Sequence, residues 1–263
     1  MKFSKIVMFG AGNLAFHMAE ALHKSGYRIV QVYSRTEVNA RKLADLVNAR
    51  PITNYNEFDP TADILIFALN DSVLPGFIDK IQFSGQLALH TSGSLPMDIF
   101  KGKADHYGVL YPLQTFSKFR NVNFYEIPLF IEAGNPKDLA NLQMFASSLC
   151  ARILHADSSQ RRKIHLSAVF ASNFVNHMYS LGEHLIKQSG FSFDILKPII
   201  LETALKAIES GDPVSSQTGP AVRMNADTMA KHLEMLSDSS NMQKIYTFVS
   251  NSIVEMHHNE SII

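Results

Sequence analysis

The sequence predicts an α/β fold with a doubly wound parallel sheet, followed by an all-helical C-terminal domain. Three observations carry that expectation. From residue 5 to about 155, short aliphatic and β-branched runs alternate with helical patterns, the order expected of βαβ units. The first run ends in the turn Gly10-Ala11-Gly12-Asn13-Leu14-Ala15, which opens the first helical pattern. After about Ser158 the strand patterns stop and only helical spacing remains, which sets the expected domains at 1–156 and 157–263.

The elements follow in order. Ile6 to Phe9 is unbroken apolar chain too short for a helix, so Lys5–Phe9 is the first strand. Asn13–Lys24 carries apolar residues at helical spacing and meets a stop at Gly26. Arg28–Tyr33 is the second strand, Val38–Val47 the next helix, and Pro51–Thr53 a weak strand. Asp63–Leu69, Gln86–His90, His106–Leu110, Pro128–Glu132 and Arg152–His155 complete the strands, with helices Ser72–Ile81 and Pro136–Leu149 among them. Beyond them, Gln160–Gln188, Phe193–Ser210, Ala226–Leu236 and Asn241–His257 are helical patterns. Pro198 lacks an N–H and kinks or delays the second of these, and Gly211-Asp212-Pro213 breaks the chain before an irregular stretch ending near Arg223.

Composition narrows the function. With 46% apolar and 18% charged residues the chain is that of an ordinary globular protein. The 24 basic and 24 acidic residues cancel, so no global field draws nucleic acid or an anionic membrane, and any anion site is local. Cys150 is the single cysteine, which excludes an internal disulfide and a multi-thiolate metal site and fits a reducing compartment. The uncharged stretch Leu166 to Gly182 is too short and too polar for a membrane span, and the N-terminal run is too short for a signal-peptide core; a cytoplasmic protein is expected.

The turn at Gly10 carries the first chemistry. Glycines between a strand and a helix allow a tight turn and let backbone approach a pyrophosphate at the helix N-terminus. Gly10 ends the strand, Gly12 leaves space for phosphates, Asn13 and Leu14 open the helix, and Ala15 is the small residue where helix meets sheet. This is the pattern of a Rossmann-type dinucleotide-binding domain. The second strand ends in Ser34-Arg35-Thr36, where NAD-specific folds place a carboxylate for the ribose 2′-hydroxyl. Two hydroxyls and a guanidinium suit a 2′-phosphate instead, so the cofactor expected is NADP(H); the plainer alternative has Arg35 capping the strand end in solvent. The run Leu69-Asn70-Asp71, at the end of the next clear strand, is expected near the pyrophosphate or the nicotinamide ribose, and Asp71 is equally read as the N-cap of the helix that follows.

With these residues placed, the first half resembles the NADP-binding domain shared by F420-dependent NADP oxidoreductases, pyrroline-5-carboxylate reductases and β-hydroxyacid dehydrogenases. Over nearly the whole chain, His90-Thr91-Ser92-Gly93-Ser94, Tyr111-Pro112-Leu113-Gln114-Thr115-Phe116, Ala171-Ser172-Asn173-Phe174 and Gln217-Thr218-Gly219-Pro220-Ala221 are similar to bacterial proteins that join a Rossmann-like domain to DUF2520. The resemblance implies an NADP oxidoreductase fold and leaves the reaction open. The β-hydroxyacid dehydrogenases carry a catalytic Lys four residues before an Asn; here Val169 precedes Asn173 and Asn173 precedes His177 at that spacing, so their mechanism does not transfer. The pyrroline-5-carboxylate reductases bind a substrate carboxylate with a hydroxyl-rich turn, to which Gln217 to Ala221 is similar in chemistry and place.

On an ideal helix, His165, Ser172, Asn173, Asn176, His177, Ser180 and His184 fall in one sector, a face without Lys or Glu that suits a ligand, a second domain or a second subunit, or a structural hydrogen-bond network. His90 stands at a strand end where the nicotinamide is expected. The catalytic candidates are therefore His90, Asn173 and His177, with Ser92, Ser94, Gln217, Thr218 and Arg223 as substrate clamps. His257-His258 is too poor in ligands for a metal site. The leading reading is hydride transfer between NADP(H) and a small carboxylate-bearing carbonyl or imine, by a homodimer paired through the helical domain; the rival is a non-catalytic NADP(H)-binding sensor or regulatory protein. Cofactor preference tests the loop reading first. NADP(H) should bind more tightly than NAD(H), and Arg35→Ala should remove roughly tenfold to a hundredfold of that difference, the worth of a charge-assisted hydrogen bond of about 1.5–3 kcal/mol. Calorimetry giving equal affinities in the unmodified protein would end this claim.

Overall fold

A computed structural model describes residues 5–258. Eight strands form one sheet in the order β3-β2-β1-β4-β5-β6-β7-β8. They are β1 (Lys5–Phe9), β2 (Arg28–Tyr33), β3 (Arg50–Ile52), β4 (Ile64–Phe67), β5 (Leu87–His90), β6 (His106–Pro112), β7 (Leu129–Ala133) and β8 (Ile153–His155). The strand order reverses at β1, between β2 and β4, and ligands of doubly wound sheets bind at the carboxyl ends beside such a switch point. The helices among these strands are α1 (Asn13–Lys24), α2 (Glu37–Leu46), α3 (Leu74–Ile78) and α4 (Pro136–Ser147).

Alternation along each strand feeds two separate cores, as a sheet covered on both faces requires. Ile6, Met8, Ile64, Ile66, Leu87 and Leu89 pack with residues of α1, α2 and α4. Val7, Phe9, Leu65, Phe67 and Ala88 pack on the other face with Leu74, Phe77 and Phe100. At the switch point Phe9 stacks on Phe67, with ring centroids 4.7 Å apart.

The mostly parallel, doubly wound sheet agrees with expectation, and two details differ. The sheet is not wholly parallel: β6 pairs with β7 antiparallel, and β8 lies parallel to β7. A parallel neighbour needs a crossover, usually a helix, over the sheet face. Between Pro112 and Leu129 the chain has only a three-residue 3₁₀ turn, Phe124–Glu126, and instead runs back across the start of α1, where Asn13 Nδ2 donates to the Phe116 carbonyl at 3.0 Å. The helix expected at Ser72–Ile81 is shortened to α3, because Pro75 occupies its first turn and the Asn70 carbonyl takes the Val73 and Leu74 amides in a preceding turn.

After β8 the chain is helical. Asp157 caps α5 (Ser158–Ala168) in a reciprocal box with Gln160. A π-helical stretch, Val169–Phe174, follows. Contacts divide the chain into two compact units that meet in sequence at Asn173 and Phe174. The second unit holds α6 (Val175–Gln188), α7 (Lys197–Glu209), α8 (Ala226–Met235) and α9 (Ser240–His258). Pro198 sits in the first turn of α7, where its missing N–H costs nothing. His258 closes α9 with Nε2 3.0 Å from the Val222 carbonyl. Within this unit Met178, Leu181, Leu236, Ile245 and Val249 surround an apolar cavity of about 350 Å³, on whose wall His232 Nδ1 lies 2.8 Å from the Tyr246 hydroxyl.

Candidate active site

The dinucleotide loop is shaped by what its glycines permit. Gly10 has φ of +122° and its N–H donates to the Tyr33 carbonyl at 2.9 Å; a Cβ there would lie 2.2 Å from the Ala68 carbonyl oxygen. Only glycine lets β1 turn this close to β4. Gly12 is the N-cap of α1 and offers no side-chain cap, and a Cβ on it would meet nothing within 4 Å. No acidic residue stands in the first turn of α1. The open space and the first-turn N–H groups fit a pyrophosphate.

At the end of β2, Ser34 donates its N–H to the Ile52 carbonyl and Thr36 N-caps α2. Arg35 is exposed and makes no hydrogen bond or ion pair among the described residues, so its fork is open to a 2′-phosphate. Asn70 Oδ1 accepts from the Ser72 amide at 3.0 Å and from its hydroxyl at 2.8 Å. The turn that Asp71 was expected to cap is made by Asn70 instead, and Asp71 accepts from the Ser94 hydroxyl.

A cavity of about 730 Å³ opens beside this loop. Leu14, Ala68, Leu69 and Asp71 form one side, Thr91, Ser92 and Gly93 follow β5, and Tyr111 to Thr115 extend β6. Ile164, His165, Ser172 and Asn173 come from α5 and the π-helical stretch. The Tyr111 hydroxyl lies 3.1 Å from His165 Nδ1. Gly93 makes this pairing possible, because a Cβ there would come within 2.7 Å of the His165 ring. Burial, reinforced by Asp71, holds the Tyr111 pKa above the ordinary phenol value, while Arg161 works against the shift.

Arg161 fixes this wall. Its guanidinium is fully buried, pairs with Glu132 of β7, and donates from Nε to the Ser92 carbonyl at 3.2 Å and from its other arm to the Leu95 carbonyl. Glu132 also accepts from the Ser158 amide and hydroxyl. The loop after β5 is further closed on itself: Ser92 Oγ accepts from the amides of Ser94 and Leu95.

The sequence candidates distribute unevenly. Ser92, Asn173, Leu14 and Leu69 line the cavity, with Ser94 bonded to Asp71 at its edge. His90 lies beneath it: fully buried, it accepts the Ser92 amide at Nδ1 at 3.1 Å and stacks on Phe100. Its Nε2 has no hydrogen-bond partner within normal geometry, although the Pro96 backbone partly offsets the loss of water. His177, Gln217, Thr218 and Arg223 belong to the helical unit and are not among the residues lining this cavity. The uniform helix wheel also breaks: a π turn admits an extra residue, so positions beyond it fall about 100° behind an ideal helix. Tyr111, His165 and Asp71 were not among the expected catalytic or clamp residues, although Tyr111 stands in the Tyr111–Phe116 motif, His165 on the polar helix face and Asp71 in the strand-end run after Leu69.

Fold and loop together define a dinucleotide-binding domain of the Rossmann type. Residues 5–91 match the family described as NADP oxidoreductase, coenzyme F420-dependent, and residues 127–253 match the domain of unknown function DUF2520. A Bacteroides fragilis protein provisionally named an NADP oxidoreductase is 47% identical, over 96% of this chain and 98% of that one, with a TM-score of 0.89. A Thermotoga maritima protein shares the fold at 18% identity, TM-score 0.79, over 96% of this chain and 99% of that one. A reductive aminase from Aspergillus terreus, solved with NADPH and ethyl-5-oxohexanoate, does so at 13% identity and TM-score 0.73, over 97% and 94%. No curated protein matches the chain. The chain belongs to the family that joins an NADP oxidoreductase domain of the F420-dependent type to DUF2520, and is an NADP-dependent oxidoreductase.

The buried imidazole makes a pH test. Burial, then the Arg161 charge, lower the His90 pKa from 6.5 to about 3 in the folded chain. The unfolded chain therefore binds one more proton between those values, so His90's contribution is complete above pH 6.5 and declines as pH falls toward 3. The slope from this residue is at most about 1.4 kcal/mol per pH unit. Urea unfolding at several pH values should show this decline, and His90→Gln should flatten it; equal slopes in both proteins would refute the buried neutral ring.

Proposed function

We propose that the protein transfers a hydride between NADP(H) and a small substrate bearing a C=O or C=N group, at the cavity walled by Tyr111 and His165. The observation that carries this is the Tyr111–His165 pair, 3.1 Å apart, in the same cavity as Leu14 of the dinucleotide loop. NADPH, when bound, supplies the hydride. Gly10, Gly12, Asn13 and Leu14 receive its pyrophosphate side, Ser34, Arg35 and Thr36 its 2′-phosphate, and Leu69 and Asn70 the stretch toward the nicotinamide.

Tyr111 delivers the proton. Its phenol, kept protonated by burial, turns its O–H toward the substrate oxygen or nitrogen as charge builds there. His165 Nδ1 donates to the phenol oxygen and stabilises the negative charge left on it. His90 supports the loop from below through the Ser92 amide, and Asn173 and Ser172 hold the substrate's polar end, a carboxylate in the sequence-based reading. Asp71 on the wall favours an acceptor that carries positive charge, and so a C=N group over a neutral ketone. The reductive aminase and the imine reductases that share the fold are named for such chemistry.

The working form proposed is a cytoplasmic homodimer. In the helical unit Ile199, Leu201, Ile208, Met235 and Phe248 are each at least 60% exposed, more apolar surface than a lone helical unit ordinarily leaves to water. A second copy of the chain is the occupant proposed for this surface. Gel filtration with light scattering should give twice the chain mass; a monomer at tens of micromolar would overturn this part.

NADPH oxidation against oxo acids, cyclic imines and amine–ketone mixtures, with reduced F420 and NADP⁺ assayed separately, tests the reaction. Tyr111→Phe should lower turnover about a hundredfold or more while NADPH affinity stays within about twofold, because a positioned donor acts in the transition state. Micromolar nucleotide binding without turnover on any of these would favour the regulatory binder instead.

A further inference from the structure

We infer that Lys118 is a cofactor-binding residue, the cation that neutralises the pyrophosphate, presented by the strap Leu113–Arg120 that folds over the dinucleotide loop. This rests on the reading that NADP(H) binds at Gly10 to Ala15.

The strap is attached to the loop it covers. Asn13 Nδ2 donates to the Phe116 carbonyl at 3.0 Å, and His17 Nε2 donates to the Ser117 carbonyl at 2.9 Å while its ring stacks on Phe116. Lys118 Nζ then donates to the Ala11 carbonyl at 2.8 Å, bridging 107 residues of chain. Each anchor reaches the turn or first helical turns that a dinucleotide contacts.

The charge itself calls for an anion. An ammonium has three donors; the Ala11 carbonyl takes one, and the Phe16 ring lies 6.0 Å away. Among the described residues Lys118 has no carboxylate partner. It stands beside the N-terminus of α1, the positive end of the helix dipole, where a cation is repelled and an anion attracted. The first turn of α1 has no acidic residue to compensate. A pyrophosphate between the helix end and the ammonium satisfies both. The loop from Gly10 to Ala15 contains no Lys or Arg of its own, so this reading gives each anionic part of NADP(H) one cation: Arg35 for the 2′-phosphate and Lys118 for the pyrophosphate.

Two ligands and three variants separate these roles by calorimetry. NADPH carries both anionic groups, whereas 2′-AMP carries only the 2′-phosphate. Lys118→Ala should weaken NADPH binding about tenfold to a hundredfold, the range of a charge-assisted contact, and leave 2′-AMP within about twofold. Arg35→Ala should weaken both ligands. Lys118→Gln keeps a donor for the Ala11 carbonyl without the charge, and should lose NADPH affinity nearly as Lys118→Ala does. Full NADPH affinity in Lys118→Gln would overturn the assignment of the charge to pyrophosphate, and full affinity in Lys118→Ala would remove the residue from the site. An unmodified protein that binds neither ligand would instead bring down the cofactor reading on which the inference stands.

Discussion

The buried guanidinium of Arg161 is the constraint on which the site depends. A fully buried cation is tolerated only when its charge is paired and its donors are used, and here Glu132 and the carbonyls of Ser92 and Leu95 do both. These partners lie on β7 and on the loop after β5, so one side chain joins three parts of the first unit. Removing one member of such a pair typically costs about 3–5 kcal/mol. The same geometry positions the proposed proton-donating pair. His165 follows Arg161 by four positions, on the same helix face, which brings its ring against Gly93 and within 3.1 Å of the Tyr111 hydroxyl. The field of Arg161 also lowers the pKa of both His90 and Tyr111, against burial in the second case.

Around that anchor the first unit separates its tasks along the strand ends. The close approach of β1 and β4 at Gly10 makes the turn, the end of β2 leaves Arg35 without a partner among the described residues, and the antiparallel return of β7 releases a strap that crosses the start of α1. The antiparallel pair therefore decides where the strap lies: a crossover helix in its place would have carried residues 113–128 over the sheet face and away from the Gly10 loop.

Most of the fold was readable from the sequence, because strands buried on both faces appear as short unbroken apolar runs. Even the three-residue strand at Arg50–Ile52 was marked by Pro51–Thr53. Strand direction was not readable, since it depends on where a connecting segment lies and not on the strand's own residues. The π-helical stretch was also hidden: Val169–Phe174 has ordinary helical composition, and the extra residue shows only in the backbone. Tyr111 was hidden because in sequence it looks like one more apolar position of a strand, whereas Asp71, after a strand and before a helix, reads equally as a cap and as a strand-end residue beside the cofactor. His90 drew attention as a strand-end imidazole, but sequence could not say that its ring lies fully buried beneath the cavity floor.

The central claim is that the cavity between the dinucleotide loop and the Tyr111–His165 pair is where the nicotinamide reacts. A crystal structure of the NADPH complex tests this most directly. The account predicts the pyrophosphate over Gly12 and the nicotinamide ring in the cavity, leaving room for a small acceptor between its reactive carbon and the Tyr111 hydroxyl, with reacting atoms able to approach to about 3–3.5 Å. A nicotinamide directed out of this cavity, with Tyr111 facing no part of the cofactor, would contradict it.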